Sequence, residues 1–265
     1  MESNLHTFVI LAYKESPHLE DCIKSVLGQS YKSSVVIATT TKNKFIENLA
    51  NKYNLKIVDG KHTSIGGDFD FALNSSFAPL VTIAHQDDIY DKNYSLETVK
   101  AYQKYPKSSI IFTDYYEIRG SKKVYSNKNL KIKRILLFSA KIKNSLNSKF
   151  AKRNLIKFGD AISCPTVTFV TKNCPKTIFA SHFQCNVDWH AWEKLSKEKG
   201  AFTFIPKPLM GHRISAESKT SEIINAGIRT KEDYEILCRF WPKPIAKFLT
   251  KLYKNSEKSN SLEDQ

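Results

Sequence analysis

The amino-acid sequence predicts an α/β fold: a mostly parallel central sheet with helices on both faces, continued by a helical C-terminal extension. Strand and helix signals alternate over residues 1–90, the pattern of a parallel sheet with crossover helices. Of the 265 side chains 41% are apolar and 12% aromatic, enough to bury a sizeable core. Residues able to do chemistry fall just after the strand signals, at the edge where ligands of such sheets bind.

Residues 8–12 form a bounded apolar run, read as a strand, and 35–38, 55–58 and 80–84 read likewise. Between them, helical spacing through Leu19, Ile23, Val26 and Leu27 predicts a helix over 17–27, with Ser16 as cap and Pro17 in its first turn. Two more helices are expected over 45–53 and 69–77. In the second half, 109–113, 167–170 and 202–205 read as strands and 188–197 as a helix. Pro206-Lys207-Pro208 is expected to break the chain. From Thr230 an apolar stripe runs through Tyr234, Leu237, Trp241, Phe248 and Leu252, which Pro242 and Pro244 should divide into two helices.

The formal net charge of +15 is local. Residues 1–120 hold 13 basic and 14 acidic side chains, whereas 121–157 hold 12 basic and none acidic. Such a segment, mostly helical by its spacing and rich in large apolar groups, suits an anionic membrane surface, an anionic substrate or a solvated basic face. A nucleic-acid partner is not expected: aromatic residues are sparse there, and it would leave the acidic strand ends unexplained. No apolar run approaches the ~20 residues of a membrane span. The start lacks a secretory leader and the five cysteines form no paired spacing, so a cytoplasmic location is expected.

Asp87 and Asp88 follow the strand over 80–84. Adjacent carboxylates at a strand end repel each other unless a cation lies near, and a hard divalent ion shared with substrate phosphates is one such arrangement. A solvated turn capping the next helix is the other reading. Asp188, before Trp189 and Trp192, stands where a helix N-cap would. The tryptophans, with Trp241, suit either sugar stacking or the core.

The motifs, taken in order, resemble family 2 glycosyltransferases of the GT-A, Rossmann-like fold, over roughly residues 6–220. Phe8-Val9-Ile10-Leu11-Ala12-Tyr13-Lys14-Glu15, followed by Ser25-Val26-Leu27-Gly28-Gln29-Ser30-Tyr31, is similar to the family's nucleotide-binding start. His85-Gln86-Asp87-Asp88 resembles a Gln-Asp-Asp form of its metal motif, of the bacterial polysaccharide type, with His85 replacing the first Asp. Val187-Asp188-Trp189-His190-Ala191-Trp192 resembles the segment whose Asp is the catalytic base, and Ile205-Pro206-Lys207-Pro208-Leu209 with His212-Arg213 the element that closes over the donor diphosphate.

The resemblance implies a metal-dependent inverting glycosyltransferase of hexosyltransferase type. Asp188 is the implied base, and Asp88, Asp87 and His212 the implied holders of Mn2+ or Mg2+. Ala12, Tyr13, Glu15, Thr39, Thr40, Gln86, Asp87, His212 and Arg213 are the implied donor site. The implied partners are a UDP- or dTDP-sugar and a hydroxyl of a glycan or lipid-linked acceptor in cell-surface polysaccharide synthesis, with peripheral contact at an anionic membrane surface. Two departures stand out. The second strand ends in Thr39-Thr40-Thr41 where the family has acids, and Asp68-Phe69-Asp70-Phe71-Ala72 lacks the arginine that often precedes the metal motif. The alternatives are a catalytically inactive sugar-nucleotide-binding relative and a sugar-phosphate nucleotidyltransferase; the latter needs a Gly-rich triphosphate loop that Tyr13-Lys14-Glu15-Ser16 does not supply.

The expected organisation is a glycosyltransferase domain over 1–220, with 1–120 the nucleotide-sugar half and 121–220 the basic insert and acceptor half. Basic amphipathic helices over 221–255 and a disordered tail over 256–265 follow.

Overall fold

The computed structural model describes residues 5–214 and 227–262. One ten-stranded sheet organises them, in the order β3-β2-β1-β4-β9-β6-β10-β5, with β7 beside β6 and β8 beside β10. The N-terminal half is β1 (His6–Ala12), α1 (Leu19–Leu27), β2 (Ser34–Thr39), α2 (Lys44–Lys52), β3 (Lys56–Asp59), α3 (Ile65–Leu73) and β4 (Leu80–His85). Its four strands are parallel, as the alternation predicts. Then come β5 (Ile89–Tyr90), α4 (Tyr94–Lys104), β6 (Ser108–Arg119) and β7 (Lys122–Val124). The basic segment forms α5 (Lys128–Leu136), α6 (Phe138–Lys143), β8 (Ser145–Leu146) and α7 (Lys149–Ile156). The chain continues through β9 (Val167–Val170), α8 (Val187–Lys197), β10 (Ala201–Ile214), α9 (Ile228–Leu237) and α10 (Lys243–Leu262). β9 runs antiparallel between β4 and β6, joining the parallel N-terminal strands to the parallel β6–β10 pair.

Successive β1 side chains feed opposite faces, as strand geometry requires. Val9 belongs to the core under α8, with Phe112, Phe169, Trp189 and Trp192. Phe8 and Ile10 belong to the other core, with Leu19, Ile23, Tyr90 and Tyr94. Both faces being covered explains why β1 and β4 read as unbroken apolar runs.

Several expectations shift. α1 begins at Leu19 with no side-chain cap at its start; Ser16 Oγ instead accepts the His18 N–H at 3.3 Å, inside the preceding turn. α3 starts four residues earlier than expected, because Ser64 Oγ caps it through the Gly67 N–H at 2.9 Å. The glycines there hide the helix in the sequence, yet Gly66 is needed: a Cβ at that position would lie 2.2 Å from the Phe179 carbonyl. Pro206-Lys207-Pro208 does not end the strand. β10 crosses it by a bulge, pairing Ile205 with Thr113 and then Pro208 with Asp114, so that neither proline has to donate to the ladder at a regular position.

Pro242 and Pro244 fall between α9 and the body of α10, as expected. The α10 backbone runs to Leu262, into the stretch expected to be disordered, since neither Gly nor Pro follows Pro244 to stop it. The expected boundary at 220/221 lies outside the described residues.

Candidate active site

Register pairs Ala12 with Thr39, Thr39 with Asp59, and Leu11 with His85, bringing the carboxyl ends of β1 to β4 level. Tyr13 extends this edge: Gln86 Oε1 accepts its N–H and Gln86 Nε2 donates to its carbonyl, both at 3.0 Å. The Gln86 amide is therefore spent on the backbone of Tyr13. Lys14 takes a left-handed conformation, φ 54°, and its N–H donates to Thr41 Oγ1 at 2.6 Å. Ala12 and Thr39 are buried and Glu15 is exposed. Thr40 Oγ1 donates to Asp68 Oδ2 at 3.2 Å, and His62 Nδ1 lies 2.8 Å from the same oxygen. Asp68, from the first turn of α3, thus stands beside the β2 end that lacks an acid of its own; its Oδ1 is buried with no partner.

Asp88 is fully buried at the end of β4. Its Oδ1 accepts the Arg213 N–H at 2.9 Å and lies 3.1 Å from His212 Nδ1. The β10–β5 pairing, Met210 with Tyr90 and Gly211 with Ile89, places His212 and Arg213 there. Gly211 permits that approach, since a Cβ would meet the Tyr116 ring at 2.7 Å. Burial pushes the Asp88 carboxyl upward, but His212, with His85 and the Arg213 N–H, outweighs it and holds the group below the usual carboxylate range. His212 moves the opposite way: burial lowers it, and the Asp88 carboxylate more than restores it, leaving it above an ordinary histidine. Asp87 is raised by burial and by the charge of Asp88. Arg213 Nε donates to the Asp87 carbonyl at 3.0 Å.

Asp188 lies in the first turn of α8, where the cap position is Asn186, and its Oδ1 accepts the N–H of Trp189 at 2.9 Å. Asp160, in the turn after α7, lies within charge range of it and is pushed well above the usual carboxylate range, by burial first and then by the charge of Asp188. Lys133 of α5 lies within charge range of both acids, and its Nζ stands 5.3 Å from the Tyr115 ring centre. Tyr115 meets His212 edge-on at 6.1 Å. Lys133 is also within electrostatic reach of His212, so the Asp88 cluster and the Asp188 cluster border one region. Trp189 and Trp192 belong to the core: both are buried and donate to the carbonyls of Ile156 and Ile162, so α8 is anchored by its apolar face, while the half-buried Trp241 donates to the Lys157 carbonyl at 2.8 Å.

Two carboxylates hold the approach to α8. Asp70 of α3 accepts the N–H groups of Ile178, Phe179 and Ala180 at 2.7–3.2 Å. Glu232 of α9 accepts those of Gln184, Cys185 and Asn186 at 2.7–2.9 Å. Bonds to charged acceptors are the stronger kind, so residues 178–186 are pinned from the donor side and from the C-terminal extension.

Among the described residues no group of three or more His, Cys, Asp or Glu side chains could hold a metal ion by itself. The donor chemistry nevertheless fits a shared ion. Asp88 is held ionised, His212 Nδ1 meets the same carboxylate, and His85 Nε2 is a buried nitrogen without a partner. A hard cation commonly takes one or two protein carboxylates and completes its shell with substrate phosphates and water.

The family model described as Glycosyl transferase family 2 matches residues 7–198. The chain belongs to glycosyl transferase family 2. Its fold is the GT-A fold, and its chemistry is sugar transfer. No curated protein matches the chain at a significant level. Among solved structures it is similar to S. aureus TarS 1-349 in complex with UDP-GlcNAc, at 12% identity and TM-score 0.56, covering 96% of this chain and 72% of that one. It is also similar to the mannosyltransferase PcManGT from Pyrobaculum calidifontis in complex with GDP-Man and Mn2+, at 13% identity and TM-score 0.58, covering 94% and 69%. No helix among the described residues of this glycosyltransferase is long and apolar enough to cross a membrane.

Sequence reasoning missed Asp160, Lys133, Asp68, Asp70 and Glu232. Lys133 was visible only as one cation of a charge run. Asp68 and Asp70 were visible only as the place where an arginine is missing. Nothing near Asp160 or Glu232 in the chain marks them, because their partners lie 28 and 46–48 residues away.

Proposed function

We propose that this glycosyltransferase inverts the anomeric centre of a UDP- or dTDP-sugar and passes the sugar to a hydroxyl of a glycan or lipid-linked acceptor, in cell-surface polysaccharide synthesis at the cytoplasmic face of the membrane. The observation that supports the reading is the buried Asp88 at the β4 end, held below the usual carboxylate range and bonded to the Arg213 N–H and His212, with Lys133 within charge range of both His212 and Asp188. Asp188 takes the acceptor's proton, the acceptor oxygen bonds to the anomeric carbon, and the bond from that carbon to the diphosphate oxygen breaks with its electron pair leaving on the nucleoside diphosphate. His212 and Arg213, held at Asp88 and Asp87, present positive charge to that leaving group. Mn2+ or Mg2+, held by Asp88 with His212 and Asp87 nearby, would supply further neutralisation of the diphosphate. Tyr13, Glu15, Thr39 and Thr40 border the end of the sheet where base and ribose would lie.

The test is release of nucleoside diphosphate from a panel of nucleotide sugars, with and without manganese. Turnover of a UDP- or dTDP-sugar, raised by the metal, is expected; binding of every donor with no turnover would favour an inactive relative.

The membrane contact has its own support. Ile135, Phe138 and Ile142 are 60–72% exposed on α5 and α6, and Phe150, Phe248 and Leu252 are exposed on α7 and α10. Lys131, Lys141 and Lys143 are exposed among the first three. Arg134, Lys141, Ile135 and Phe138 also line a cavity of about 380 Å³. Large apolar groups interleaved with cations match an anionic bilayer surface. The protein is expected to sediment with anionic liposomes at low salt and to be released at high salt, and replacing Ile135, Phe138 and Ile142 with Ser should reduce binding at least about tenfold. Equal sedimentation of neutral and anionic liposomes would refute the electrostatic part.

A further inference from the structure

Helix α9 lies beyond residues 7–198, the span that the family model matches, yet it is tied to the approach to α8. On it Glu232 and Asp233 are only 6% and 3% exposed. Burying a carboxyl costs far more than burying an alkyl group unless hydrogen bonds replace the lost water. Two acids at such adjacent positions therefore mark a polar task. Attaching α9 to the body is not that task, because the fully buried Ile236 and Leu237 do so within the core that holds Trp189 and Trp192.

Both acids turn to the same short loop. Glu232 Oε1 accepts the Gln184 N–H at 2.7 Å, and its Oε2 accepts those of Cys185 and Asn186 at 2.8 and 2.9 Å. Asp233 Oδ1 accepts from Asn186 Nδ2 at 2.8 Å. Asn186 is the cap residue of α8, a place where an Asn side chain ordinarily accepts a hydrogen bond from its own helix. Here it makes no such bond and reaches to α9 instead. Past Asp188, Arg239 Nη1 stands 2.8 Å from His190 Nδ1 and 3.5 Å from Glu193 Oε2. The half-buried Asp188 is thus bracketed along the chain by ties to α9 and to the residue just after it.

We propose that α9 is a clamp that sets where Asp188 stands, with Glu232 and Asp233 as positioning residues. The inference rests on Asp188 being the base. The two acids act on it through the backbone of 184–186 and the Asn186 side chain: a fixed loop gives the first turn of α8 one direction, so an acceptor hydroxyl meets the Asp188 carboxyl at a set distance. Without these ties α8 persists on Trp189 and Trp192 while its entry wanders, and kcat falls with donor binding intact.

The deciding experiment has two arms on the full chain. The first is hydrogen exchange at the amides of 184–186, read without substrate. Exchange there is expected to quicken at least about tenfold in Glu232→Ala, a local opening, with the melting of the rest retained; unchanged protection would overturn the proposal. The second arm is kinetic. Glu232→Ala should lose about 100-fold in kcat, the scale of a small misplacement caused from a distance, while its affinity for UDP stays within about twofold of wild type. Glu232→Gln keeps one acceptor oxygen for the loop and should recover part of that loss. Ile236→Val, which loosens the packing of α9 without touching the loop, should keep wild-type kcat at temperatures where it is folded. Equal kcat losses in Ile236→Val and Glu232→Ala at equal folded fraction, or none in Glu232→Ala, would overturn positioning. If the wild type turns over no donor, the function proposed above fails, and the exchange arm then decides alone: lost protection upholds the clamp and kept protection overturns it.

Discussion

Asp188→Asn is expected to lower kcat for sugar transfer by about 10²–10⁴-fold, the range that a positioned general base contributes, while leaving donor binding and thermal stability close to wild type. The side chain makes few structural commitments. Its Oδ1 accepts the adjacent Trp189 N–H, which an Asn oxygen does equally well, and α8 is anchored elsewhere, by Trp189, Trp192 and the loop bonds of Glu232. Loss of turnover with an intact fold would therefore isolate the proton-accepting step. The measurement is the rate of nucleoside diphosphate release beside a melting curve, and a variant retaining more than a tenth of wild-type kcat would remove Asp188 from the role.

Asp88→Asn should be as damaging to transfer, at least about 10²-fold, and should in addition cost stability. Asp88 is fully buried and organises its neighbours: it receives the Arg213 N–H and pairs with His212. Without the carboxylate, burial and Lys133 pull His212 down against Asp87 alone, weakening the positive charge at the place where diphosphate would sit. The loss of a charged hydrogen-bond acceptor for two partly buried groups should cost roughly 1–3 kcal/mol. The pH dependence carries a sign that can be checked on metal-free protein. Asp88 is lowered in the fold, so its contribution is present above the unfolded carboxylate value and lost as pH falls through the folded one. His212 is raised, so its contribution is full below the unfolded histidine value and lost as pH rises through the folded one. The pair should stabilise most between about pH 4 and 6.5, and that difference between wild type and Asp88→Asn should shrink outside the window. A flat difference across pH 3–9, roughly the span bracketing both reference values, would contradict the pairing.

The parallel half of the sheet was legible because β1, β2 and β4 are bounded apolar runs between amphipathic helices, a local signal that burial on two faces imposes. α3 was misplaced by four residues, since Gly66 and Gly67 look unlike a helix and the need for Gly66 comes from Phe179, far along the chain. β10 was cut short because a Pro-x-Pro reads as a break, whereas pairing with β6 on one side carries the strand across as a bulge. Trp189 and Trp192 were ambiguous in the sequence, and only their burial and the carbonyls of Ile156 and Ile162 make them core residues.

The amino-acid sequence by itself determined the family and the fold class and marked Asp87, Asp88, Asp188, His212 and Arg213 as candidates, because these depend on short motifs and on hydrophobic periodicity, both local along the chain. Only the tertiary structure decided that His212 pairs with Asp88, that Asp68 stands beside Thr40 at the acid-free end of β2, and that Asp160 and Lys133 come within charge range of Asp188. Hydrogen bonding and charge act through space over a few ångströms, and residues brought that close by a sheet and its crossovers carry no mark of it in their own neighbourhoods.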